Sequence, residues 1–217
     1  MPVLPARFLF RIAHRCRYIR AIPQKDNDLL DLPQECRISN WADMEGLKNF
    51  ADVRLAWNEL GLGIQVEVRG KEHEVTGHQS KLKASDGITL WIDTRDSRST
   101  HRASRYCHQF HFLPMGGGND GTEGYFAQAN IHRALQDAPH CPPHLVMFHV
   151  KLARGGYLLE AFLPATALHG FDFEQSGRLG IYYVVRDNEL GDQTLSVSSD
   201  FPYWEDPSLW SVLELAR

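Results

Sequence analysis

The sequence predicts an all-β fold: a two-sheet antiparallel β-sandwich of about ten strands in one domain over residues 1–217, with one or two short helices and a long loop insertion. Three observations predict it. Apolar residues recur at every second position in many short segments, helical periodicity is almost absent, and turn-formers such as Gly61, Asn188, Gly191 and Pro202 separate the segments.

The elements follow in order. Arg7-Phe8-Leu9-Phe10-Arg11-Ile12 alternates loosely, whereas Ala51-Asp52-Val53-Arg54-Leu55-Ala56-Trp57 and Leu62-Gly63-Ile64-Gln65-Val66-Glu67-Val68 alternate strictly, as half-buried strands do. Further strands are expected at 87–93, 105–113, 145–152, 157–163, 179–187, 193–198 and 210–215. Helical signals are confined to 164–168, stopped by His169-Gly170, and to 130–135. Residues 69–86 are polar and aperiodic and read as a long loop. Residues 114–144 read as an insertion, carrying Gly116-Gly117-Gly118-Asn119-Asp120-Gly121 and His140-Cys141-Pro142-Pro143-His144.

Composition excludes several functions. A net charge of −4, with 23% charged residues, supplies no general polyanion surface, so neither nucleic acid nor an anionic membrane is an expected partner. No apolar run reaches the roughly 18 residues of a membrane span. The N-terminal stretch is broken by Arg7, Arg11 and Arg15 and does not read as a secretory signal. Cys16, Cys36, Cys107 and Cys141 are widely spaced, which favours free buried thiols and a cytoplasmic location.

Four segments carry a family resemblance. Asp86-Gly87-Ile88-Thr89-Leu90-Trp91-Ile92-Asp93 is a strand ending in aspartate, and Gly156-Tyr157-Leu158-Leu159-Glu160 is a G-Y-x-x-E strand. Leu179-Gly180-Ile181 through Asp187 and Gly191 is a strand with its turn, and Trp204-Glu205-Asp206-Pro207-Ser208-Leu209-Trp210 closes the chain. In this order and spacing they resemble the family 9 carbohydrate-binding modules and their relatives in the DOMON-like sandwich superfamily. The resemblance implies a sugar sandwiched between two tryptophans, one of them corresponding to Trp204. The other would precede Asp86, where this chain has Lys81, Lys83 and Ser85. The family's sugar-binding glutamate falls on Thr89 and its arginine on His111, and a glutamine and an asparagine are replaced by Val184 and Arg186.

Strand alternation tests which residues share a face. If Ile88, Leu90 and Ile92 point one way, Trp91 and Asp93 point the other; likewise Gln109 and His111 oppose Phe110 and Phe112, and Tyr182 and Arg186 oppose Ile181 and Tyr183. With strands neighbouring as the resemblance implies, Trp91, Gln109, His111, Tyr182 and Arg186 share one face beneath Trp204. Aromatic faces beside planar polar groups suit a sugar-like or planar anionic small molecule. A non-catalytic binding module for a carbohydrate or similar polyhydroxylated ligand is therefore expected. A structural or interaction domain, its aromatics covered by a protein partner or by the insertion, is the alternative.

A metal- or haem-binding sandwich is the third reading. Asp93 and Asp96 border a turn that could lend oxygens to calcium, although Arg95, Arg98, Arg102 and Arg105 crowd it. His140 and His144, beside Cys141, could take zinc only if Pro142 and Pro143 fold the segment tightly. Haem would need a methionine such as Met115 or Met147 beside a histidine. No catalytic constellation is readable: Cys107 and His108 are strand neighbours that point apart, and no G-x-S-x-G, P-loop or H-E-x-x-H occurs.

Overall fold

The computed structural model describes residues 12–24, 28–40, 49–172 and 177–217. Eleven strands form one hydrogen-bonded sheet that bends over and nearly closes on itself: β1 (Ala13–Tyr18), β2 (Ala51–Asn58), β3 (Gly61–Arg69), β4 (Gly87–Asp93), β5 (Cys107–Gly117), β6 (Glu123–Ala129), β7 (Met147–Ala153), β8 (Gly156–Pro164), β9 (Arg178–Asp187), β10 (Gly191–Thr194) and β11 (Ser211–Ala216). The order is β6-β5-β4-β9-β11-β1-β2-β3-β8-β7, with β10 paired to β9. Each neighbouring pair is antiparallel except at β1, which runs parallel to both β11 and β2 and joins the two halves. The halves pack as two layers. Phe112 of β5 lies 5.5 Å from Phe148 of β7, ring centre to ring centre, and close approach at Gly124 of β6 lets Phe148 and Val150 seat against it.

Both faces of the central strands are covered, so alternation marks which layer a side chain enters rather than buried against exposed. On β3 the inward set Leu62, Ile64, Val66 and Val68 joins the main core. The outer face of β2, β3 and β8 is covered by residues 19–24 and 28–36, through a second cluster that includes Ile22, Leu30, Leu32, Ala56 and Phe162. Gly63 lies beneath it, because a Cβ there would press within 3.1 Å of Ile22 and Leu30. This arrangement requires buried polar groups on the covered strands to find partners. Glu160 of β8 accepts the backbone N–H groups of Leu29, Leu30 and Asp31 at 3.1–3.2 Å, and Gln65 of β3 accepts that of Leu32 at 2.8 Å. The glutamate of the G-Y-x-x-E strand thus ties an N-terminal segment down.

Several expectations change in the structure. The strand expected at 7–12 falls, but for Ile12, outside the described residues, and β1 follows it instead. The insertion is shorter than predicted, because β5 runs on to Gly117 and β6 forms a hairpin with it; Gly118 and Gly121 take the positive φ values that its turn needs. Residues 130–135 form turns rather than a helix, and 164–168 contracts to a single 3-10 turn at Ala165–Ala167. The expected strand 193–198 ends at Thr194. All four cysteines are buried and free.

The polar stretch 69–86 is anchored by a buried charge cluster. Lys71 Nζ lies 2.7 Å from Asp187, 3.2 Å from Asp86 and 3.9 Å from Glu189, with the lysine side chain 1% exposed. The carboxylates are held further by backbone amides: Asn188 and Thr76 donate to Asp86, and Glu189 and Leu190 to Asp187. Removing the ammonium leaves two fully buried carboxylates without a counter-charge. Lys71→Met is expected to cost about 3–5 kcal/mol in urea denaturation, and adding Asp187→Asn should recover part of the loss. A change within about 0.5 kcal/mol, the scatter of ordinary surface substitutions, would refute this account.

Candidate functional site

The register builds one patterned face. Trp91 of β4 sits directly between Gln109 of β5 and Tyr182 of β9, Thr89 between His111 and Val184, and Gly87 opposite Arg186, which in turn pairs with Asp192 of β10. The segment after β10 folds across part of this face and supplies a second layer of aromatics. Tyr203 stacks on Tyr182 with ring centres 4.4 Å apart, edges Trp91 at 5.6 Å and meets Trp204 at 5.3 Å. The Tyr182 hydroxyl donates to the Val197 carbonyl, and Trp210 Nε1 donates to the Tyr203 carbonyl at 2.8 Å. Trp210, 5% exposed, is therefore core, and Trp204, 37% exposed, is left at the rim.

Between this segment, the 3-10 turn Leu82–Ala84 and the start of the turns after β6 lies a cavity of about 520 Å³, within the range of small-molecule sites. Trp91, Gln109, His111, Arg186 and Trp204 all line it. Tyr182 does not: it is fully buried and props Tyr203 from below, so its expected role in direct contact is corrected. The linings that strand alternation could not reveal are Leu82, Lys83, Asn130, His132, Asp192, Ser199 and Tyr203. Apart from Asp192 they come from loops and turns, where no periodicity operates; the available signals were the adjacency of Tyr203 to Trp204 and the place of Lys83 where the family resemblance implies a second tryptophan.

A hydrogen-bond chain fixes the polar floor. The Trp91 indole N–H can only donate, and it does so to Gln109 Oε1 at 3.1 Å. The Gln109 amide nitrogen is then directed at His111 Nε2, 2.9 Å away, which must accept. His111 consequently carries its proton on Nδ1 and donates it to Thr89 Oγ1 at 3.0 Å. A second proton on His111 would put two donors face to face. Burial, followed by the nearby cations Arg186 and Lys83, lowers its pKa to about 4. What the chain leaves for a ligand is one Gln109 N–H, the Thr89 hydroxyl proton and part of the Arg186 guanidinium. That guanidinium is held through Nε and Nη2 by Asp192 at 3.0 Å each. His132 closes the rim and bonds Glu205 at 2.8 Å.

The residues considered for metals lie elsewhere. Asp93 accepts the Arg95 and Ser97 backbone N–H groups at 2.9 and 2.6 Å, and Asp96 pairs with Arg98 at 2.6 Å. His140 bonds Asn130 at 2.6 Å, and His144 lies on the exposed 3-10 turn Pro143–Leu145. Among the described residues no group of three or more His, Cys, Asp or Glu converges.

Fold and face together define a β-sandwich with a lined cavity on one of its two layers. Solved structures similar in fold include two complexes of one sugar-binding module. A family 9 carbohydrate-binding module from Caldicellulosiruptor kristjanssonii in complex with cellotriose matches with a TM-score of 0.63 over 93% of this chain and 92% of that one, at 14% identity. Its complex with glucose gives 0.62 at 15% identity, over 93% and 95%. A candidate carbohydrate-binding protein from Bacteroides uniformis gives 0.51 at 12% identity, over 83% and 84%. No protein-family model matches the chain, nor does any curated protein.

Buried neutral histidines set a pH dependence. His14, His108 and His111 are each lowered to about 4 by burial, whereas unfolded histidine titrates near 6.5. Between those values the unfolded chain binds more protons than the folded one, so stability is full above about pH 6.5 and is lost as pH falls toward 4. Chemical denaturation between pH 7 and pH 4.5 should show a loss of about 1–2 kcal/mol per histidine at the acid end. Stability that stayed flat or rose across that window would contradict the neutral, buried assignment.

Proposed function

We propose that this chain is a non-catalytic carbohydrate-binding module whose ligand occupies the cavity between Trp204 and the β4–β5–β9 face. The carrying observation is the placement of an exposed aromatic rim directly above a prearranged row of polar groups. Sugar rings present C–H faces that pack on the negative face of an aromatic ring, and hydroxyls that both donate and accept. Trp204 and Tyr203 supply the first partner. Gln109, Thr89 and Arg186 supply donors and Asp192 supplies acceptors. Because these groups are already fixed by the Trp91-Gln109-His111-Thr89 chain, little ordering cost is added on binding. The similarity in fold to modules solved with cellotriose and glucose supports the reading.

The resemblance to the DOMON-like superfamily is retained as part of this proposal. A second reading, an interaction domain whose aromatic face a protein partner covers, places the same Trp204 rim in a protein interface. The two differ in what occupies the cavity.

Two tryptophans separate site from scaffold. Trp204→Ala is expected to weaken binding of cello-oligosaccharides or of another glycan found on an array by at least tenfold, while costing about 1 kcal/mol or less in stability. Trp210→Ala should cost roughly 3–5 kcal/mol in thermal or urea denaturation, as buried aromatics do. If Trp204→Ala is the more destabilising, or if it leaves glycan affinity intact, the rim is not the binding platform.

A further inference from the structure

The charges around the cavity are unequal, and their imbalance names a ligand class. This inference rests on the reading of the cavity as a sugar site. Arg186 and Asp192 form a bidentate pair at 3.0 Å and largely cancel. His132 is tied to Glu205 at 2.8 Å, and that carboxylate also lies 3.7 Å from Arg133. His111 is neutral because its hydrogen-bond chain admits one ring proton. Lys83, on the Leu82–Ala84 turn, is the remaining charge in the lining, and among the described residues it makes no ion pair. A chain of net charge −4 therefore presents a cavity carrying one uncompensated positive charge. Burial is the main cause of the low His111 pKa, and Arg186 and Lys83 lower it further.

We infer that the cavity selects an acidic saccharide, one whose sugar ring carries a carboxylate, and that Lys83 is the specificity-determining residue. The arrangement suits a monoanion. The single free ammonium matches one negative charge, the Arg186 fork is already engaged by a carboxylate and offers only its outer N–H groups, and Asp192 opposes a second negative charge. The aromatic rim takes the ring and Lys83 takes the acid group, so two features that act on different parts of the ligand combine. Lys83 itself is exposed on a surface turn, so changing it removes the charge without disturbing the core.

The test uses matched pairs: glucose with glucuronate, galactose with galacturonate and mannose with mannuronate, each as the monosaccharide and the trisaccharide. Affinities are read by calorimetry or tryptophan fluorescence on the full chain and on Lys83→Met. The expected result is that in at least one pair the acid binds roughly tenfold tighter than its neutral partner. Raising the salt concentration should reduce the binding of the acid alone, the uronamide should bind as the neutral sugar does, and Lys83→Met should abolish the preference of the acid over its neutral partner. If the neutral sugar binds as well as or better than its acid in every pair, the acidic-ligand inference is overturned while the sugar-binding reading stands. A preference that survives Lys83→Met overturns the assignment to Lys83. If no sugar of either kind binds, the underlying reading of the cavity fails.

Discussion

Tyr203 stacked on Tyr182 is the contact on which the cavity depends. A ten-residue β9 could pair perfectly well with its neighbours and still present nothing but a flat sheet face. What makes a concave site is the segment after β10 returning across that face. It is held there by the ring pair at 4.4 Å, by the Tyr182 hydroxyl on the Val197 carbonyl and by Trp210 Nε1 on the Tyr203 carbonyl. Each bond satisfies a polar group that the packing has taken from water, so the aromatic area and the hydrogen bonds reinforce one another. Trp204 then stands at the rim because its neighbour in sequence is locked below it.

The same logic recurs wherever the chain leaves the sheet. Glu160 gathers three backbone amides of residues 29–31, Gln193 accepts those of Phe50 and Ala51 at 2.9 Å, and Lys71 is enclosed by Asp86 and Asp187. In a sandwich with few helices, loops have little apolar surface of their own with which to stay down. Buried polar side chains on the strands act as fixed points for them, and their cost is offset by the hydrogen bonds and ion pairs they make to the loops. The site shares this design: the Trp91-Gln109-His111-Thr89 chain orders the floor before any ligand arrives.

Period-two patterning and punctuation determined the class of fold and the identity of most strands, because alternation is a property of each strand alone and needs no knowledge of its partners. The same alternation put Trp91, Gln109, His111 and Arg186 on one side, and that side is a wall of the cavity. It could not show that Tyr182 is sealed, since burial on that side is set by the 195–204 segment and not by β9. Nor could it show the parallel seating of β1, which joins segments near opposite ends of the chain. Lys83, Asn130, His132 and Tyr203 come from turns, where side-chain direction follows backbone geometry and long-range contacts rather than spacing. The hydrogen-bond chain that sets the His111 tautomer, and the pairing of Arg186 with Asp192, exist only once β4, β5, β9 and β10 lie side by side. Residue types were local information; which charges cancel was decided by the tertiary structure, because cancellation requires distance.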